Sequence, residues 1–213
     1  MKYYICGIDV GIIHLGLSFI EVQTDENIEN SYVKTDKDIL TVIEILLVDI
    51  TKYTHNTISK EKCRLYHTNT LCDRVNHFLQ EYKDKLDSCK YIFIERQPIT
   101  GITSVEQLVY NHFRDKAFLV QPSSIHKHFG LDPINSENRK KKSVKIGMSL
   151  LHNDLLNYIN KYERKHDICD SILIAFTGLY NKNKMKEIET PKPSLVLKKI
   201  IDFNKYKYNP IKI

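Results

Sequence analysis

Four carboxylates stand where an acid is out of keeping with its neighbours. Asp9 closes the apolar run that opens GIDVGIIHLG, Glu95 closes YIFIE, and Asp167 and Asp170 lie three residues apart in HDICDSILIAF. An ionised carboxyl in a strand that otherwise reads as buried is costly without a partner, a hydrogen bond or a metal. Three helical positions turn through about 300° and rise about 4.5 Å, so Asp167 and Asp170 project from one face. Ile168, Ile172, Ala175, Phe176 and Leu179 make up the other. Gathered together, four carboxylates repel one another unless cations neutralise them. Hard divalent ions such as Mg²⁺, with Mn²⁺ as a substitute, prefer such oxygen donors. Two of them about 3.5–4 Å apart activate a water and stabilise the leaving oxygen of an in-line phosphoryl displacement. The chemistry expected of these residues is metal-dependent cleavage of a phosphodiester.

A polyanion repelled by bare acids needs basic groups to hold it. Arg139, Lys140, Lys141 and Lys142 are consecutive, with Lys145 close behind, and the segment from Asn181 onward carries nine lysines against three acids. The formal net charge of +6 is modest, but this clustering is the usual footprint of a phosphate backbone. A solvated loop and a solubilising tail account equally well for each patch by itself.

The elements that must carry these residues follow from periodicity. Lys2–Val10 and His14–Val22 read as strands joined by a glycine-containing turn, and Thr41–Ile50 as a third. Asn27–Lys37 between them is polar. Leu71, Val75, Phe78, Leu79, Tyr82 and Leu86 follow the three-and-four spacing of an amphipathic helix within Arg64–Leu86. Tyr91–Glu95 is a short buried strand, followed by the turn-rich loop RQPITGITS, a helix through Arg114 and a strand from Ala117 to Pro122. Helical patterns resume after Ser143, with Asn153–Tyr162 and His166–Tyr180 the strongest, and Ser194–Phe203 is a last candidate beyond the Pro191 and Pro193 breakers. Three strands in a meander, then strands reached by right-handed crossovers, give an α/β fold with a mixed five-stranded sheet flanked by helices. Asp9 and Glu95 then fall near the ends of neighbouring central strands.

Each acid also has a purely structural explanation. Asp167 and Asp170 suit a helix N-terminus through its dipole. Glu95 could cap its strand or pair with Arg96, and Asp9 could accept from the amides of the glycine turn. His166 is placed either for proton transfer or as a solvated residue at a helix start.

Taken in order, Asp9 in GIDVG, Glu95 in IERQP and the Asp-x-x-Asp of HDICDSILIA resemble the RuvC-type Holliday junction resolvases, and the poxvirus branch in particular. The resemblance runs from Tyr3 to about Tyr180. It implies an RNase H-like fold, a homodimer, and Mg²⁺-dependent paired nicking of opposite strands at a four-way DNA junction, at cytoplasmic viral replication sites. By position, Asp9, Glu95, Asp167 and Asp170 are then the metal-binding catalytic acids, with two ions per site. Lys142 in KKKSVKIG resembles the family's lysine–serine element before a helix, with Lys140 and Lys141 equally plausible beside it. Arg96 and Gln97 open a loop that would lie beside the cut strand and enter the junction centre, where Arg96, Pro98 or Ile99 would have to replace an aromatic stack. A plain strand-to-helix connection accounts for the same loop.

Rival readings are an RNase H-like nuclease acting on hybrids, flaps or transposon ends, an actin-like ATPase or sugar kinase, and a non-catalytic DNA-binding module. The ATPase reading requires further glycine-rich nucleotide loops, whereas the chain has seven glycines, none adjacent. With 213 residues and no Gly/Ser- or Pro-rich linker, one domain with a basic extension from about residue 181 is expected. Five cysteines without a C-x-x-C pair suit a reducing compartment and suggest neither disulfides nor zinc. No charged-then-apolar leader and no membrane-spanning run is expected, so the cytoplasm is the expected location.

Overall fold

The computed structural model describes residues 1–24, 39–53, 70–131 and 135–189. The polar Asn27–Lys37 stretch, Cys63, the helix candidate Ser194–Phe203 and the C-terminal lysines beyond residue 189 lie outside the described residues. The chain divides into two units, Met1–Leu179 and Tyr180–Ile213. The sheet and the four acids belong to the first.

Five strands, β1 (Lys2–Asp9), β2 (Leu15–Gln23), β3 (Ile39–Val48), β4 (Cys89–Glu95) and β5 (Ala117–Val120), form one sheet in the order β3-β2-β1-β4-β5. The first three are antiparallel neighbours, and β4 and β5 join parallel to β1. This is the mixed sheet that two sequential antiparallel connections and two crossovers dictate.

Period-two alternation decides which layer each strand residue faces. On β1, Cys6 and Ile8 pack on one side with Val75, Phe78 and Leu79 of α1 (Leu71–Glu81) and with Val105 and Val109 of α3 (Thr103–His112). Ile5 of β1 and Phe93 of β4 pack on the other side with Ile168, Ile172 and Ala175 of α7 (Lys165–Glu189). Asp9 shares parity with Ile5, and Glu95 with Phe93, so both acids end their strands on the α7 side.

Backbone packing lets α7 come close. A Cβ on Gly7 would lie 2.0 Å from the Ser171 carbonyl oxygen, and one on Gly16 would lie 2.1 Å from that of Asp167. Gly16 is paired with Asp9 across β1 and β2. The bare backbone opposite Asp9 is therefore what seats the first turn of α7 on the sheet, and the glycine serves this helix contact.

The helices depart from the periodicity in three places. The expected Arg64–Leu86 helix is two within the described residues, α1 and α2 (Lys83–Ser88), interrupted at Tyr82. A short helix, α4 (Pro122–His128), follows β5 and starts with proline at its first turn, where a missing amide hydrogen costs nothing. Helix α5 spans Ser136–Ser149, capped by the Asn135 side chain on the Asn138 amide at 2.9 Å. Its first half, SENRKKK, contains no apolar residue, so periodicity could not reveal it, although Lys and Arg are good helix formers. Arg139 to Lys142 thus sit on a helix, and Lys142 is inside it and not ahead of it. After α6 (Asn153–Ile159), α7 begins at Lys165.

Candidate active site

Three elements bring the acids together. Asp9 ends β1 and Glu95 ends β4, on strands that run side by side in parallel with Ile8 opposite Ile94. Asp167 and Asp170 come from the first turns of α7, which the glycine contacts hold against the sheet. The four carboxyls act on one another electrically. Burial pushes Asp9 well above the usual carboxylate range, reinforced by the charges of Glu95, Asp170 and Asp167 and by a hydrogen bond with Glu95. Burial also raises Glu95, opposed by hydrogen bonds from Asp9 and Gln97. Asp170 is pushed up to about 6, first by burial, with a hydrogen bond to Ser143 and the charge of Lys140 opposing Glu95 and Asp167.

Each carboxyl has a definite partner. A hydrogen bond joins the Asp9 and Glu95 carboxyls. Glu95 Oε2 accepts from Gln97 Nε2 at 2.7 Å. Arg96 does not pair with Glu95: its Nε stands 3.8 Å from Oε1 of Glu106 on α3. Asp167 accepts a fork from Arg164, Nε at 2.7 Å and one terminal nitrogen at 3.2 Å. His166 Nε2 lies 3.2 Å from the same carboxyl, and burial lowers the His166 pKa, which favours neutral imidazole.

The basic helix α5 does not offer all its cations to the site. Lys140 and Ser143, one turn apart, face Asp170. Lys142 Nζ instead donates to the Gly130 carbonyl at 2.7 Å, and Lys141 Nζ pairs with Glu137 at 2.7 Å. Lys145 is exposed and Arg139 half-buried on the same helix. Among the three lysines the sequence left equivalent, Lys140 is the one whose charge reaches the acids.

Two contributors had escaped the sequence. Glu106, only 1% exposed, accepts from the Gln97 amide at 2.5 Å and from Gln107 Nε2 at 2.9 Å. It pins the loop whose Gln97 side chain orients Glu95, across nine residues with no local pattern. Arg164 left a fainter trace, an Arg/Asp pair at helical spacing.

Beyond Gln97 the loop makes a tight turn, the Gly101 amide donating to the Pro98 carbonyl at 2.7 Å. Ile99 at its tip is 98% exposed, whereas Ile102 packs against the α1–α3 core.

Among the described residues no three His, Cys, Asp or Glu side chains stand ready as a ligand shell. The carboxyls there engage Arg164, Gln97 and one another. The donor chemistry nevertheless fits a hard divalent cation: four acids, oxygen donors throughout, burdened by mutual repulsion.

Comparison with known proteins gives a structural answer. No family model matches the sequence, and no curated protein does. The crystal structure of fowlpox virus resolvase with substrate Holliday junction DNA is 16% identical, covers 84% of this chain and 97% of its own, and superposes with a TM-score of 0.56. The fowlpox virus Holliday junction resolvase crystallised by itself matches over 84% and 99% at 16% identity, with a TM-score of 0.55. The chain has the RuvC-type resolvase fold. Thermus thermophilus RuvC supports the same conclusion, at 14% identity, 85% and 96% coverage and a TM-score of 0.52. On this RNase H-like resolvase fold, the acids occupy the ends of two adjacent central strands and the start of the helix that crosses them.

Proposed function

We propose that this chain is a Holliday junction resolvase, a metal-dependent endonuclease that makes paired, symmetric nicks in four-way DNA junctions. The observation that carries the reading is the convergence of Asp9, Glu95, Asp167 and Asp170 from β1, β4 and α7 on a fold shared with proteins solved as resolvases. A homodimer would present two such sites to two symmetric strands.

The chain's residues divide the work. Asp9 and Glu95, at strand ends braced on both sides, hold the rigid part of a site for divalent cations, with Asp167 and Asp170 closing it. Bound there, a pair of Mg²⁺ or Mn²⁺ ions would supply Lewis-acid activation of water and of the leaving oxygen. Gln97 orients the Glu95 carboxyl, and Ser143 that of Asp170. Lys140 places a positive charge beside the acids for the phosphate about to be cut, and the exposed Arg96 follows Glu95 directly in the chain. Burial holds the Asp9 and Glu95 carboxyls toward their protonated forms, and a hydrogen bond joins the two.

The test uses purified protein with a synthetic four-way junction and a sequence-matched linear duplex, each with Mg²⁺ and with EDTA. Paired metal-dependent nicks confined to the junction, lost in Asp9→Asn while junction binding persists, are the expected result. Cuts in duplex or hybrid instead would keep a nuclease and change its substrate, and binding without cutting would leave a junction-binding module.

A further inference from the structure

One carboxylate of the acid cluster is already held by a cation of the chain itself. Arg164 immediately precedes α7 and forks onto both oxygens of Asp167, Nε at 2.7 Å and a terminal nitrogen at 3.2 Å. The same terminal nitrogen lies 3.3 Å from His166 Nε2. The two ends of this pair differ in environment: the Asp167 side chain is 10% exposed, that of Arg164 44%. Arg164 also senses the charge of Asp9 beyond Asp167, so its field extends into the cluster. A two-point, charge-assisted fork on a buried carboxylate is among the stronger ion pairs available to a protein.

We propose that Arg164 is an internal counter-ion of the acid site, which gives up Asp167 when divalent cations enter and then becomes free to contact the DNA backbone. The inference rests on the nuclease reading above and gives it a regulated step. A guanidinium and a divalent cation on the same carboxylate repel each other. The buried carboxylate is fixed to the first turn of α7, while the exposed arginine has room to swing, so the arginine is the partner that moves. Lys140 acts on the neighbouring Asp170, whereas the two-point fork on Asp167 comes from Arg164. A metal-loaded site thereby gains one more phosphate contact than a metal-free one, coupling cation binding to DNA binding.

The experiment compares wild type with Arg164→Gln and Arg164→Lys, first by titrating Mn²⁺ alone into DNA-free protein and reading affinity by calorimetry. Removing the competing charge should tighten Mn²⁺ binding about three- to tenfold in Arg164→Gln, while Arg164→Lys, which keeps the charge without the fork, falls between. Four-way junction affinity is then measured with EDTA and with Ca²⁺. Arg164→Gln should match wild type in EDTA, where the arginine is spent on Asp167, and bind about three- to tenfold more weakly in Ca²⁺, with a salt slope lower by about one phosphate. Thermal melts without metal check that both variants fold. Unchanged Mn²⁺ affinity in Arg164→Gln, or an equal junction defect with and without Ca²⁺, overturns the proposal. A wild-type protein that binds no Mn²⁺ overturns the metal-dependent reading as well, and is recognised by that result alone.

Discussion

Replacing Asp170 by Asn should stabilise the metal-free protein at neutral pH. The Asp170 carboxyl is moved from the ordinary 3.8 up to about 6, with burial as the leading cause. Because the folded value lies above the unfolded one, the folded chain holds the proton more tightly. The cost of ionising this buried group is absent below the unfolded value, grows as pH rises between the two, and is complete above the folded value. At roughly 1.4 kcal/mol per pH unit, the interval corresponds to about 3 kcal/mol. Asn keeps an acceptor for Ser143 and carries no charge, so Asp170→Asn recovers up to about that amount near neutral pH and nothing in strong acid. Asp9 also feels the Asp170 charge, and its relief has the same sign. Urea unfolding in EDTA, followed by circular dichroism from acid to neutral pH, reads the effect. Asp9 and Glu95 titrate in both proteins, so the difference between the two stability curves reports Asp170 together with the relief of its neighbours. That difference should open between the two values and stay open above. A variant no more stable than wild type at neutral pH would show that Asp170 bears no ionisation penalty, and the reasoning from burial and mutual repulsion would fail.

Other expectations follow from single contacts. Gly16→Ala places a methyl group against the Asp167 carbonyl; it should cost about 1–3 kcal/mol in urea unfolding and remove cleavage while junction binding persists. Lys140→Ala should lower the single-turnover cleavage rate at saturating protein, whereas Lys142→Ala, which loses only a bond to the Gly130 carbonyl, should cost about 1 kcal/mol of stability or less and cut normally. Equal rates for the two would remove Lys140 from its place beside the acids. Ile99→Ser should leave the thermal midpoint unchanged and lower the ratio of junction to duplex affinity in gel-shift titrations, because Ile99 is exposed at a loop tip next to the site. Ile102→Ser should instead destabilise the fold, since that side chain packs on the core.

How much of this was legible beforehand depended on the range of the interactions. The sheet order, the adjacency of Asp9 and Glu95 and the shared face of Asp167 and Asp170 follow from alternation, helical spacing and the handedness of crossovers. Alternation and helical spacing are properties of near neighbours along the chain, and the crossover rule needs only the order of the elements, which is why a single sequence carries them. The first half of α5 escaped because a helix without apolar residues has no hydrophobic period to read. Glu106 holding Gln97 and Lys140 facing Asp170 escaped for a different reason. Each joins residues from separate elements, and their meeting depends on the rotation and depth at which those elements pack. Gly16 is the clearest case: it falls inside the expected strand His14–Val22, where nothing nearby calls for a glycine, yet the backbone of α7, more than a hundred residues away, requires the missing side chain. The sequence by itself placed Asp9 and Glu95 near the ends of neighbouring strands and Asp167 and Asp170 on one face of a helix. Only the tertiary structure decided which cations face them, because side-chain partnership across layers is set by packing geometry and leaves no periodic trace in the chain.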